Sequence, residues 1–206
     1  MKQLQTIEAM MMQKDINCDQ HIFMKNIGKE YLQTVIRRVK YYKDLGDKTF
    51  QQLNIDADFH YQYNEESNSI AVIIQHIAGN MLSRWTNFLT EDGEKSWRQR
   101  DDEFTIHNYT KQQLLEIWEK GWKCFLEALE SLNEDDLLKP IHIREEKLSV
   151  IDAINRQLAH YPYHIGQIVY IGRMIKDHSW KNLSIPKGQS QQYNKNEAIK
   201  DPAKKF

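Results

Sequence analysis

Cysteine, glycine and proline are scarce in this chain. Its 206 residues include 2 Cys, 8 Gly and 4 Pro. Cys18 and Cys124 lie far apart without CxxC spacing, which argues against a disulfide scaffold and against a cysteine-based zinc knuckle. The shortage of Gly and Pro leaves few tight turns and therefore favours long helices.

Long apolar runs and an excess of one charge are also missing. No segment approaches the roughly 18 uninterrupted apolar residues of a membrane-spanning helix, so we expect no membrane partner. The 28 Lys and Arg residues balance 29 Asp and Glu residues, which leaves a net charge of −1. Because nucleic-acid binding needs a concentrated basic face, we expect no nucleic-acid partner either. The composition is typical of a cytoplasmic, mostly helical, single-domain protein.

Hydrophobic periodicity divides the chain into three parts. Residues 1–23 are weakly patterned and lack the basic start and apolar core of a secretory signal, so we predict a loosely attached extension without chemistry. Residues 24–180 carry a strong three-and-four apolar spacing. Residues 181–206 form a polar tail, of which only the part around 183–186 is expected to pack.

The fold class predicted for residues 24–180 is all-α, a four-helix bundle. Apolar spacing and caps place the helices at about 24–46, 69–89, 110–132 and 150–176. Gly46 is expected to end the first helix, and Ser67 or Asn68 to cap the second. The connector before the fourth helix permits a short hairpin.

The third and fourth helices have the clearest start signals. Thr110 and Gln113 have the spacing of a capping box, and Ser149 is placed to cap the fourth helix. Pro162 lies in the middle of that fourth helix, where it removes one backbone hydrogen bond. The sequence therefore predicts either a kink just before Pro162 or a break of the helix there.

One pair of histidines has the spacing of metal ligands on a helix. His160 and His164 are four residues apart, which puts both imidazoles on one face. The pair alone is a weak signal, because two interior or half-exposed histidines bonded to their neighbours would give the same pattern. Gln167 shares their face.

The second helix carries a polar line through an otherwise apolar sequence. Steps of three and four from His76 reach Asn80, Ser83 and Asn87. This line either faces water or lines an internal cavity between apolar flanks. In the second case, if the second and fourth helices are neighbours, His76 meets the histidine pair. Three neutral imidazoles would then hold a metal with open coordination positions, as in catalytic zinc sites.

The same stretches carry a family resemblance. The segments SIAVIIQHIAGNMLSRWTNFLTEDGEKSWRQRDDEF and QLAHYPYHIGQIVYIG resemble an uncharacterised branch of the DinB/YfiT-like superfamily. The run HIGQIVYIGRM and the lone histidine of the second helix match in register. The resemblance spans about residues 24–190, and the preceding extension departs from the family pattern.

The resemblance implies a four-helix bundle of up-down-down-up order and a divalent metal, zinc or nickel most often, held by His76, His160 and His164. Better-studied relatives resemble transferases and isomerases that use bacillithiol or mycothiol, in which the metal lowers the pKa of a bound thiol. Other relatives are presumed hydrolases. A homodimer is a further expectation at the level of the family.

Four residues are predicted to bind a small-molecule substrate near the metal: Asn80, Ser83, Arg84 and Gln167. Arg84, Arg98 and Arg100 are placed to clamp a carboxylate or phosphate of an anionic thiol. The alternative is surface ion pairing of these arginines with the acidic run 101–103.

No catalytic residue is assigned, and two classes of function stay open. The first is a metal-dependent enzyme, preferably a thiol S-transferase that uses a low-molecular-weight thiol, or else a hydrolase. The second is a stress-associated protein that binds a metal or small ligand without turnover. Cys124 has the apolar neighbours of an inert thiol and Cys18 lies in the extension, so any thiol chemistry needs an external thiol.

Overall fold

Across residues 2–196 and 200–206, the computed structural model is mostly helical, and side chains are described for residues 26–196 and 200–206. The helices are α1 Lys2–Phe50, α2 Asp56–His60, α3 Ile70–Trp85, α4 Lys111–Glu130, α5 Val150–Lys176 and α6 Ser190–Asn196. A hairpin of β1 Pro140–Ile143 and β2 Glu146–Ser149 precedes α5. Short 3-10 turns lie at Asp102–Phe104, Glu134–Asp136, Asp177–Ser179 and Pro202–Lys205.

The four long helices pack around one core. Helix α1 contacts α5 and α4, and α3 contacts the same two helices. Their apolar faces bury large side chains between them, among which Trp118, Trp122, Phe125, Tyr161 and Ile73 are almost inaccessible to solvent. Burial of this apolar surface is the main stabilising contribution to the fold. It also sets α3 against α5, where the candidate site lies.

Helix α1 continues past Gly46 to Phe50, so the predicted C-terminal cap at Gly46 is wrong. A Cβ atom at Gly46 would lie 2.6 Å from Cζ2 of Trp118, and the glycine therefore admits the indole against the α1 backbone. The indole Nε1–H donates to Asp47 Oδ1 at 2.7 Å. Close packing, and not a helix end, explains this glycine. At its other end α1 begins at Lys2, but the side chains of the predicted extension lie outside the described residues.

The caps predicted for α4 and α5 are confirmed. The Thr110 hydroxyl accepts from the backbone N–H of Gln113, whose side chain accepts from the N–H of Thr110. Ser149 caps α5, which continues unbroken through Pro162 and so excludes the predicted alternative of a break. Helix α3 is capped by Ser69 instead of Ser67 or Asn68.

Helix α3 ends at Trp85, four residues before the predicted Leu89. Asn87, two residues beyond, has a φ of 49° and starts the loop that leads to the hairpin. The side chain of Ser83 is fully buried and donates to the carbonyl of Gly93 in this loop at 2.7 Å. The loop is therefore folded back onto the last turns of α3.

The predicted hairpin is present, and the loop after α3 holds its turn. Arg144 and Glu145, at the turn, have φ values of 56° and 67°, as in a type I′ turn. The carboxylate of Asp92 accepts from their backbone N–H groups at 2.9 and 2.8 Å. The Gly93 N–H donates to the carbonyl of His142 at 2.8 Å. These bonds bring Arg144 to the end of α3.

The chain end also packs, so the prediction that only the part of the tail around 183–186 would pack is wrong. Ala203 is 2% exposed, and the 3-10 turn around it contacts α1. Arg38 of α1 donates to both carboxylate oxygens of Asp201, and the Phe206 ring lies near that of Tyr41. Among the described residues, no helix is both long and apolar enough to cross a bilayer.

Candidate metal centre

Three histidines from two helices converge at one point. His76 lies on α3, and His160 and His164 lie one turn apart on α5. The Nε2 atom of His160 is 3.3 Å from Nε2 of His76 and 3.1 Å from Nε2 of His164. In a tetrahedral site with Zn–N bonds of about 2.0–2.1 Å, ligand nitrogens are separated by about 3.3 Å. Both of these separations therefore fit ligands of one ion, and all three ligand atoms lie within 4.8 Å of one another.

A side-chain oxygen engages the other ring nitrogen of each histidine. The contacts are His76 Nδ1 with Glu103 Oε2 (3.0 Å), His160 Nδ1 with Gln157 Oε1 (3.2 Å) and His164 Nδ1 with Gln167 Oε1 (2.8 Å). An oxygen acceptor at Nδ1 assigns the proton there and leaves a lone pair on Nε2. Three lone pairs then face one another. A cation between them removes this repulsion, so the donor set fits a divalent metal.

Burial keeps the imidazoles of His160 and His164 in the neutral form that binds metals. Desolvation, reinforced by His164 and His76, lowers the pKa of His160 from 6.5 to about 3. The pKa of His164 is lowered as well, mainly by burial, although its bond to Gln167 opposes the shift. Because a metal competes with protons for imidazole nitrogen, neutral rings at neutral pH favour metal binding.

Glu103 is the most informative residue of the site that sequence reasoning missed. It lies in the 3-10 turn after α3 and is 9% exposed. Arg98 donates to both of its oxygens, from Nε at 2.7 Å and from a terminal nitrogen at 2.9 Å. Burial acts to raise the pKa of Glu103, but the bonds to His76 and Arg98 outweigh it and hold that pKa below its usual value. The carboxylate therefore stays charged behind His76.

Gly79 makes room for this carboxylate. A Cβ atom at Gly79 would collide with Oε1 of Glu103. The glycine lies three residues after His76, on the same face of α3. A glycine in that position, inside an apolar helix, was the available sequence signal that another group approaches the backbone beside the histidine.

His76, Asn80 and Ser83 of the polar line are buried, so the predicted alternative of a water-facing stripe is wrong for them. Asn87, the last residue of that line, lies beyond the end of α3 and is exposed. Asn80 lines a cavity beside His76, and its side-chain oxygen accepts from the Tyr161 hydroxyl at 3.0 Å. Ser83 instead anchors the loop after α3. Gln167 orients His164.

Arg84 is buried on the same face of α3. Its guanidinium donates to Glu94 Oε2 at 2.9 Å and to the carbonyl of Gly93, and it lines the cavity of Asn80. The alternative of ion pairing with the acidic run is correct for Arg98 with Glu103, although that pair is buried. It is also correct for Arg100, which pairs with Asp101 at the surface at 3.7 Å.

Two cavities reach the histidine cluster or its supporting residues. One, of about 270 Å³, includes His76 and His160 in its wall. The other, of about 570 Å³, includes Gln167 and the aromatic side chains of Tyr61 and Tyr170. Small molecules therefore have space beside the histidines and also beside the amide of Gln167, which bonds to His164.

Comparison with known proteins gives one family. A family described as "Protein of unknown function (DUF1572)" matches residues 26–189, which include all three histidines and Glu103. No curated protein and no solved structure gives a significant match to the chain.

Proposed function

The chain belongs to the DUF1572 family, and we propose that it is a metal-dependent enzyme in which His76, His160 and His164 hold one divalent transition ion. The proposed ion is zinc or nickel, since three imidazoles suit both. The proposed fold type is a DinB/YfiT-like four-helix bundle made of α1, α3, α4 and α5. The resemblance of the histidine segments to that superfamily and the mutual contacts of these helices support it.

The observation that carries the proposal is the orientation of the three rings. Their ligand atoms lie within 4.8 Å of one another. Each opposite ring nitrogen contacts a side-chain oxygen, as in metal sites whose outer partners fix the tautomer. Histidines that merely fill space in a core need no such convergence of lone pairs.

The proposed reaction is transfer of a small external thiol, of the bacillithiol type, to an electrophilic substrate. When bound, the ion supplies a lowered pKa for a coordinated thiol and open positions beside three protein ligands. In the transfer, a carbon–sulfur bond forms, the leaving group departs with its electron pair, and the thiol proton goes to solvent. Among the residues whose side chains the structure describes, the free thiol of Cys124 lies on α4 against Thr86, outside the histidine cluster, so the proposed nucleophile is a second molecule.

Hydrolysis is the weaker candidate because, among the described residues, the carboxylates near the histidine cluster are already bonded to other groups and cannot serve as a free general base. Glu103, the carboxylate at the cluster, is already bonded to Arg98 and to His76. Glu94, in the loop after α3, is bonded to Arg84 and Arg144. Both carboxylates act here as positioning groups. Among the described residues, this leaves thiol transfer as the better supported reaction.

The first test is elemental analysis of protein purified without chelator and without a metal-affinity tag. We expect about one equivalent of a transition metal in the parent and little in His160→Ala. His178→Ala is the matched control, because His178 is fully exposed outside the cluster, and it should keep the parent's metal content. Absence of metal from the parent even after reconstitution would overturn the proposal.

The second test is turnover by the metal-loaded protein. Bacillithiol and a chlorinated aromatic electrophile are the substrates, and release of chloride is the readout. We expect turnover by the parent and by His178→Ala, and loss of turnover in His160→Ala. Metal binding without turnover of thiols would instead identify a non-catalytic metal-binding protein, and release of acid from esters or amides would identify a hydrolase.

A further inference from the structure

The cavity of about 270 Å³ beside the histidines is lined mainly by cations. Its wall combines His76 and His160 with five arginines, namely Arg84, Arg98, Arg100, Arg144 and Arg156. No Asp or Glu belongs to this wall in the part of the chain that the structure describes. Clefts lined by one sign of charge concentrate ligands of the opposite sign.

Three of the five arginines are held in place by two carboxylates outside the wall. Glu94 bonds to Arg84 and Arg144, each at 2.9 Å. Glu103 bonds to Arg98 through both oxygens. The side chains of Arg84 and Arg98 are only 5% and 2% exposed, so their positions are fixed before any ligand arrives. These three arginines thus form a rigid, cationic part of the cavity wall.

The positive charges of the other two arginines, Arg100 and Arg156, are not neutralised by a strong ion pair in the described part of the chain. The nearest carboxylate to Arg100 is that of Asp101 at 3.7 Å, and Asp101 is fully exposed, so this pair is weak. Arg156 is exposed on α5 and forms no ion pair within the described residues. Both guanidinium groups can therefore meet an incoming anion at the rim of the cavity.

Both rim arginines are positioned near the histidines. Arg156 lies four residues before His160 on α5, which puts it one turn, about 5–6 Å, along the same face. The guanidinium of Arg100 lies over the Phe104 ring at 5.4 Å, and that ring packs on His76 with 4.8 Å between centroids. The anion site and the histidine cluster are thus adjoining parts of one cavity.

We infer that this cavity binds the acidic end of a small-molecule substrate, a carboxylate or phosphate group, through Arg156 and Arg100. The planar, forked guanidinium matches both oxyanions in geometry and charge. The inference rests on the proposed function in one respect, namely that the reacting atom of the same molecule lies about one helical turn away, at the histidines. Binding of the anion itself needs only the arginines.

The test is calorimetric titration of malate and of inorganic phosphate into the metal-loaded and the metal-free full-length protein. The two probes distinguish a carboxylate from a phosphate ligand. We expect at least one probe to bind both forms, and Arg156→Gln to weaken that binding by about ten-fold or more, the effect of losing one charge-assisted contact. The affinity of Arg156→Lys for the probe should lie between those of the parent and Arg156→Gln, because lysine keeps the positive charge but lacks the forked geometry of the guanidinium group.

Arg173→Gln is the matched control, because Arg173 lies exposed on the same helix outside the cavity wall. It should bind the probes as the parent does. Failure of both probes to bind, or binding that Arg156→Gln and Arg100→Gln leave unchanged, would overturn the inference. Normal metal content without anion binding would refute only this inference. Arginine-dependent anion binding by a protein that takes up no metal would refute only the proposed metal function.

Discussion

The carboxylate of Glu103 lies 3.0 Å from Nδ1 of His76 and joins that histidine to Arg98. A carboxylate bonded to a ligand histidine fixes the orientation of the ring and raises the basicity of the nitrogen that faces the metal. The histidine's affinity for a metal therefore depends on a residue that comes 27 positions later in the chain.

Glu103→Gln should lower metal affinity by about 10–100-fold, the usual effect of removing a charged partner of a ligand. The glutamine oxygen can still accept from His76, but it cannot neutralise Arg98, so the melting temperature should fall as well. Competition with a chromophoric chelator measures the affinity. Asp101→Asn, at a fully exposed neighbour, should change neither quantity. Unchanged metal affinity in Glu103→Gln would show that the carboxylate does not support the site.

Gly79→Ala should weaken metal binding without altering any ligand. The added methyl group would displace the Glu103 carboxylate from its place behind His76. Since both changes act on the same contact, the double variant with Glu103→Gln should lose less affinity than the sum of the two single losses. Gly166→Ala on α5 is the control, because its Cβ would meet no atom within 4 Å. Strict additivity would contradict this account.

Gly46→Ala should destabilise the fold by about 1–3 kcal/mol, the usual cost of overpacking a core. Its methyl group would press on the buried indole of Trp118. Gly166→Ala should have the opposite sign and stabilise by about 0.5–1 kcal/mol through helix propensity. Urea unfolding of both variants measures the difference. A Gly46→Ala variant as stable as the parent would mean that the indole moves aside easily.

Glu145→Gly should stabilise the hairpin by about 0.5–1 kcal/mol. The left-handed backbone at Glu145, with φ of 67°, is strained for any residue with a Cβ, and type I′ turns favour glycine at this position. Its bond to Asp92 uses the backbone N–H and survives the change. Glu146→Gly, one residue later in β2, relieves no such strain and should destabilise. Equal shifts in unfolding free energy for the two variants would refute this explanation.

Features that depend on a few neighbouring residues could be predicted from the sequence. The caps at Thr110 and Ser149 are examples, because a capping side chain bonds to a backbone group three residues away. The shared face of His160 and His164 is another, since helical periodicity alone determines it. The polar residues of α3 indicated His76 as a partner for the His160–His164 pair. Whether those polar residues face water or a cavity was open from the sequence.

Only the tertiary structure decided the features that join distant segments. The packing of α3 against α5 brings His76 to His160, 84 residues away, and buries His76 and Asn80. The 3-10 turn at Asp102–Phe104 places Glu103 beside His76. Trp118 of α4 packs against Gly46, which explains why that position is a glycine. These contacts depend on which helix covers each face of its neighbours. Local patterns carry no such information, because the free energy that selects them comes from burial of surfaces contributed by the whole chain.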